Sequence, residues 1–263
     1  MKNKTFPLTA CIILTVTVAA LTQSCRKVID YVLAHENGQN DCRGCNIKQI
    51  TVNTADELSN DTVVFTFTYN PHGDPLIVKN TQVATGNPNM VFKYDKFGRM
   101  TELVRPYSDG SYETWNKYSY NDKNQIIRDT QYIFGTYTDS VPVAFPQNGI
   151  WVRQFAYDAM DRIIQETDSI FNPGAAPFGG TADFSYDAGG NLLNQGTAYD
   201  SHLSILRTNR IWMFLCKNYS LNNGFQASSY NNHGLPLQFE GSYSDMQIIV
   251  PFSGQFVVQY GCQ

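Results

Sequence analysis

The sequence predicts an all-β fold: a curved antiparallel meander of about a dozen or more strands, open or partly closed like a barrel, with one short helix near 205–216. Three observations carry this. A phrase of aromatic, any residue, Tyr, Asp or Asn, two free positions and a turn-forming residue recurs along the chain. The aromatic residues around it lie two apart, the period of a strand. One stretch, Leu203 to Cys216, breaks that alternation with the continuous apolar run Trp212–Leu215.

In chain order, Lys2 and Lys4 followed by the apolar run Phe6–Leu21 read as a secretory signal over 1–24. Ser24-Cys25 closes it, and a small residue before a Cys resembles the lipobox of bacterial lipoproteins in the relaxed form common in Bacteroidetes. By that resemblance Cys25 is acylated and becomes the first mature residue. Residues 25–44 form a tether, and 45–263 a single β domain.

The domain is built on the repeat. Full copies begin at Phe67, Phe92, Tyr118, Phe155 and Phe184, and a sixth, from Tyr230, lacks the first aromatic. Asp or Asn opens a type I turn, its side chain bonding the backbone two residues on. The fourth turn position must then be left-handed to restart the strand with a bulge. Gly73, Gly98, Asn124, Asp161, Gly190 and Gly234 hold that position, all residues that tolerate it. After the turns come apolar pairs, among them Pro75-Leu76, Ile126-Ile127, Ile163-Ile164, Leu192-Leu193 and Pro236-Leu237, so this end of the sheet is expected to be covered on both sides. Ser108–Ser111 reads as an ordinary hairpin turn. The inserts Gly135–Gly149 and Asn172–Gly180 are rich in turn residues and read as surface loops.

Cysteine use fits an oxidising compartment. Cys45 opens the first strand and Cys262 ends the last. If those strands are antiparallel neighbours, the two are within disulfide reach and the sheet curls until its edges meet. A local Cys42–Cys45 bridge is the rival. Cys42-Arg43-Gly44-Cys45 has the spacing of a redox or zinc half-site, with no second pair in the sequence to complete it. Cys216, in its apolar run, reads as a buried thiol.

Chemistry is sparse. The formal net charge is −4, two units more negative without Lys2 and Lys4, with no basic stripe, which speaks against nucleic acid as partner. His72 and His233 fall in repeat turns, His35 in the tether and His202 before the helix, at no metal-ligand spacing. No HExxH, GxSxG or Walker loop occurs. No catalytic residue, metal ligand or cofactor is assigned. Carboxylates are numerous enough for an acid pair to assemble in three dimensions, but no spacing singles one out. The aromatic ladder is expected to pack the core rather than to serve as a sugar platform.

Tyr94-Asp95-Lys96-Phe97-Gly98-Arg99-Met100 and Tyr186-Asp187-Ala188-Gly189-Gly190-Asn191-Leu192 look like the YD repeat of RHS proteins, which form large β shells around a toxin. Cys45–Ile50, Tyr199-Asp200, Trp212–Leu215, Tyr219–Asn223, Tyr230–Pro236 and Tyr260-Gly261-Cys262 resemble Bacteroidetes outer-membrane lipoproteins of unknown function with a porin-like antiparallel β fold. That resemblance implies a membrane-anchored envelope protein and no activity. Arg26 and Lys27 after Cys25, where surface-exported relatives carry acids, favour the periplasmic face. The expected function is a non-catalytic binding or accessory module whose partner is an envelope protein or glycan. A carrier of an apolar ligand within the curved sheet is the alternative, and an envelope hydrolase the third class. The sequence leaves the oligomeric state open.

Overall fold

Among the described residues, alternating β-branched and aromatic residues form fourteen strands. They are β1 Cys45–Thr54, β2 Thr62–Tyr69, β3 Pro75–Asn80, β4 Met90–Tyr94, β5 Met100–Pro106, β6 Ser111–Tyr120 and β7 Ile126–Thr138. Then come β8 Val141–Ala144, β9 Ile150–Tyr157, β10 Ile163–Phe171, β11 Phe178–Asp183, β12 Ala227–Tyr230, β13 Pro236–Gly241 and β14 Gly254–Cys262. A 3-10 turn, Ile205–Thr208, and one α-helix, α1 (Arg210–Cys216), separate β11 from β12. The structure, a computed structural model, describes residues 44–54, 61–193, 198–241, 246 and 248–262. The signal, Cys25, most of the tether and Cys42 lie outside them.

All pairings are antiparallel, in the order β11-β10-β9-β7-β6-β5-β4-β3-β2-β1-β14-β13-β12, with β8 on β7. The first and last strands are neighbours, and Cys45 and Cys262 sit opposite one another, Cα atoms 3.9 Å apart, joined by a disulfide. This does not close the sheet. Among the described residues its path ends at β11 and β12, and the chain between them leaves the meander to place α1 on the concave face.

Each repeat turn is built as its residue types require. The Asp or Asn side chain accepts the backbone N–H four residues on, as in Asn70 from Asp74 (2.9 Å), Asp95 from Arg99 (3.0 Å) and Asp187 from Asn191 (2.8 Å). In five copies it also accepts the N–H two residues on. The fourth position has positive φ in every copy: 83° at Gly73, 75° at Gly98, 59° at Asn124, 59° at Asp161, 82° at Gly190 and 74° at Gly234. The space a Cβ would take at Gly98 is open, so only backbone strain opposes a side chain there. Gly98→Val is therefore expected to cost about 1–3 kcal/mol, while Gly98→Asn stays close to wild type. Denaturant melts of the two variants check this, and equal midpoints would refute the strain.

A bulge follows these turns. Tyr69 pairs Pro75 while Thr68 pairs Ile77, and Tyr120 pairs Ile126 while Ser119 pairs Arg128. The skipped residue turns outward. Both-sided cover of this end is thereby corrected: Ile127, Ile164 and Leu193 are exposed, and only the first member of each pair faces inward. The inserts are also corrected. Asp139 (φ 51°) and Ser140 (φ 64°) form a two-residue turn of the kind hairpins favour, so Gly135–Ala144 pairs as β7 with β8. In the second insert the turn spans Asn172–Ala175, and Phe178 already begins β11.

The repeat tyrosines staple one hairpin to the next. The carbonyl two residues past each turn position accepts a phenol: Pro75 from Tyr94 (2.5 Å), Met100 from Tyr120 (2.8 Å) and Ile126 from Tyr157 (2.7 Å). Ile163 accepts from Tyr186 (3.3 Å), Leu192 from Tyr199 (2.6 Å) and Pro236 from Tyr260 (2.8 Å). Burial pushes the phenols of Tyr120 and Tyr186 up to about 12, and those of Tyr69, Tyr94 and Tyr157 higher still. The folded state thus favours the neutral phenol. That stability is complete below the unfolded value of about 10 and is lost as pH rises from there through about 12. Urea midpoints should hold to pH 10 and then fall, less steeply in Tyr120→Phe. Midpoints level to pH 12 would contradict the ladder's role.

The first aromatics of the first four phrases meet the helix. Trp212 is fully buried, its ring edge-on to Phe67 and Phe92, both at 5.7 Å. Phe214 meets Tyr118 at 5.5 Å and Phe155 at 5.4 Å in the same way. Asn209 caps α1, accepting from the Ile211 N–H at 2.9 Å and donating to the Gly73 carbonyl at 3.0 Å, which ties the helix start to the first repeat turn. Lys217 ends it in a left-handed conformation, φ 51°.

Candidate functional site

Pairing register places a charged cluster on the concave face beside the helix's C-terminal end. Tyr118, which touches Phe214, pairs with Asp129; Asp129 pairs with Arg153, and Arg153 with Asp168. Phe155, the other neighbour of Phe214, pairs with Glu166. Paired residues share a face, so these side chains all point toward the helix side of the sheet. Over β1–β4 the same face is apolar: Ile50, Val63, Phe65, Val78, Met90 and Phe92 are buried.

Arg153 is the hub. Its guanidinium lies 3.3 Å from Asp129, 3.5 Å from Glu166 and 3.3 Å from Asp168, and donates to Gln131 Oε1 at 2.9 Å. It also stands over the Trp151 ring at 5.3 Å. Asn116 Nδ2 donates to both oxygens of the buried Asp129, at 2.9 and 3.0 Å. Lys217 Nζ donates to the Phe214 carbonyl at 3.0 Å and lies 4.9 Å from the Phe155 centroid and 4.4 Å from that of Phe214.

Burial raises the Asp129 carboxyl above its ordinary range, more than Asn116 and Arg153 lower it. Burial raises Glu166 likewise, against the pull of Lys217 and Arg153. Burial depresses the Lys217 ammonium, and Glu166 and Asp129 oppose that. Three carboxylates thus share two cations. Asp129 is sealed by Asn116 and Arg153, whereas Glu166 and Asp168 are partly open, Asp168 with 43% of its side chain exposed. The open rim offers acceptors and, through Arg153, planar donors to a polar ligand. Arg153 stands within 3.5 Å of each carboxylate, a geometry that orients all three while its single charge offsets only part of theirs.

A second polar network is local. Asp200 accepts from the His202 N–H (2.9 Å), the Asn223 N–H (3.1 Å), Asn223 Nδ2 (3.0 Å) and the Tyr230 phenol (2.8 Å). His202 stacks on Tyr230 at 3.6 Å. These bonds fix the loop that delivers the 3-10 turn, with Asn223 Oδ1 accepting the Ile205 N–H at 2.9 Å.

The lipidation candidate Cys25 and the disulfide candidate Cys42 fall outside the described residues, and Cys45 and Cys262 form the disulfide. Cys216 is a free, half-buried thiol pushed up to about 12 by burial. From Phe67 through Phe184 the repeat aromatics lie in or against the core. Asn116, Asp129, Gln131, Arg153 and Glu166 belong to no sequence motif, and nothing local marks Asp168 as their neighbour. Parity was their available signal: Arg153 is two residues before Phe155, on the aromatic face.

Away from the cluster, Phe134, Val141, Val143, Phe145, Phe171 and Phe178 are exposed along β7–β8 and β10–β11. Tyr132, Ile133, Phe145 and Asn148 help line a recess of about 120 Å³ there, room for only a few heavy atoms. Among the described residues no helix is long and apolar enough to cross a membrane.

No family model matches the chain, and no curated protein does. Among solved structures, a porin-like protein from Bacteroides uniformis ATCC 8492 is 12% identical at a TM-score of 0.35, over 82% of this chain and 98% of that one. The TcdB2-TccC3-TEV structure is 15% identical at a TM-score of 0.27, over 68% of this chain, which spans only 9% of that one. Both are distant likenesses that match the porin-like and RHS resemblances loosely.

Proposed function

We propose that this chain is a non-catalytic binding or accessory lipoprotein of the cell envelope, held at the outer membrane by acyl chains on Cys25 and facing the periplasm. The observation that supports binding over carriage is the filled concave face: Trp212, fully buried between Phe67 and Phe92, occupies the space an apolar cargo would need. What remains open is surface, namely the Arg153 cluster and the apolar margin of β7–β11. A polar envelope component, protein or glycan, is the fitting partner.

The test joins anchor and surface. Mass spectrometry of the mature N-terminus should find a diacylglyceryl group on Cys25, and an unmodified Cys25 refutes the anchor. The tethered protein should retain a defined envelope component, identified in parallel from wild type and Arg153→Gln, with retention lost in the variant. Equal retention refutes the cluster as the binding surface. Protease applied to intact cells should leave the domain uncut, and cleavage would place it on the cell surface.

The raised Asp129 and Glu166 carboxyls favour a second reading, an envelope hydrolase. Turnover of an envelope glycan or peptide by wild type, abolished in a folded Glu166→Gln variant, would replace the binding proposal with this one.

A further inference from the structure

The disulfide that joins the terminal strands has a third neighbour. Cys45 Sγ, Cys262 Sγ and a ring nitrogen of His233 all lie within 4.8 Å of one another. The fold brings them together from three places. Cys45 is the first residue of β1, Cys262 the last of β14, and His233 lies in the turn between β12 and β13. Antiparallel pairing of β1 with β14 and of β14 with β13 puts all three at one end of the sheet. The repeat geometry fixes His233, whose N–H donates to Asn231 Oδ1 at 2.9 Å. Cys45 and Leu235 are buried together beside it, with Tyr260 and Leu203 packed on them, while Cys262 is exposed, so the cluster has a dry floor and an open side.

We propose that this cluster is a redox-gated zinc site. Oxidised, it is the disulfide. A dithiol reductant gives up two electrons and two protons, itself becoming a disulfide, and leaves Cys45 and Cys262 as thiols. Zn²⁺ then displaces both thiol protons to form two Zn–S bonds, and the neutral His233 imidazole donates a lone pair for the third. Two thiolates and one imidazole are a ligand set zinc takes, with a fourth position on the open side for water or another donor. A tetrahedral zinc with these ligands has ligand-to-ligand edges of about 3.5–3.8 Å; the His233 nitrogen already lies within 4.8 Å of both sulfurs, and the sulfurs, bonded in the oxidised form, part to that edge on reduction. Cys45 thus finds its partner ligands through the fold, from residues about 190 and 220 positions away.

The test uses the chain with Cys11→Ser, Cys25→Ser, Cys42→Ser and Cys216→Ser, so that Cys45 and Cys262 are its remaining thiols. It is reduced with a phosphine, freed of it without oxygen, and titrated with Zn²⁺ against a chromophoric chelator. One zinc per chain is expected, at least 100-fold tighter than in the oxidised protein. His233→Ala should weaken binding at least tenfold, and His233→Cys should restore it. Zinc should also raise the melting temperature of the reduced chain, which separates site formation from binding by an unfolded chain. Binding no tighter than in the oxidised form, unchanged binding in His233→Ala, or an unmoved melting temperature would each overturn the proposal.

Discussion

Trp212→Ala is expected to lower stability by about 3–5 kcal/mol, the range for truncating a large aromatic in a packed core. The indole is fully buried, and its two edge-on partners are the first aromatics of successive repeats, so one truncation unseats contacts to β2 and β4 together. Trp212→Phe keeps the aromatic contact and should cost clearly less. Denaturant melts followed by circular dichroism measure both. A loss below about 1 kcal/mol would mean that the sheet holds its curvature without the helix. A stable Trp212→Ala protein that gained binding of an apolar dye would show the chamber the native helix fills.

Breaking the Cys45–Cys262 bond is the second large perturbation. The bond spans 217 residues of sequence. The chain-entropy model puts closure of such a loop at about 5 kcal/mol, an upper figure because native strain is left out of it. Cys262→Ser should approach that loss. The adjoining hydrogen bonds are untouched, since β1 and β14 pair from Cys45–Cys262 through Thr54–Gly254, so the effect falls mainly on the unfolded chain. Non-reducing peptide mapping identifies the bond. A Cys42–Cys45 peptide in its place, or a Cys262→Ser protein as stable as wild type, would refute it.

The turns were the most legible part of the chain because their requirements are local. Asp or Asn at the start and a left-handed tolerant residue at the fourth position are read within one hairpin, and the six φ values follow. The helix was legible from its unbroken apolar run at Trp212–Leu215. The edges of the sheet were not. Pairing of β1 with β14 is compatible with closure, and only the three-dimensional path of the chain from β11 to β12 shows that the sheet stays open. The two inserts misled because Gly, Asn and Pro mark hairpin turns and loops alike. Asp139-Ser140 is a tight turn inside a longer hairpin. The candidate site was hidden for a different reason: Asp129, Arg153, Glu166 and Asp168 come from three strands, and strand register, which no single segment encodes, brings them together.

The tyrosine staples have a consequence for how such a chain can change length. The staples from Tyr94, Tyr120, Tyr157 and Tyr186 each reach a carbonyl in the immediately preceding hairpin. Each repeat therefore carries both halves of its own coupling, a phenol for the unit before and a carbonyl for the unit after. Duplicating or deleting one whole phrase leaves every remaining joint with its two partners, so the array can lengthen or shorten by gene-level copying without compensating substitutions elsewhere. The helix sets the limit on this freedom, since its aromatic side chains span only a few of these units before the curved face outruns them.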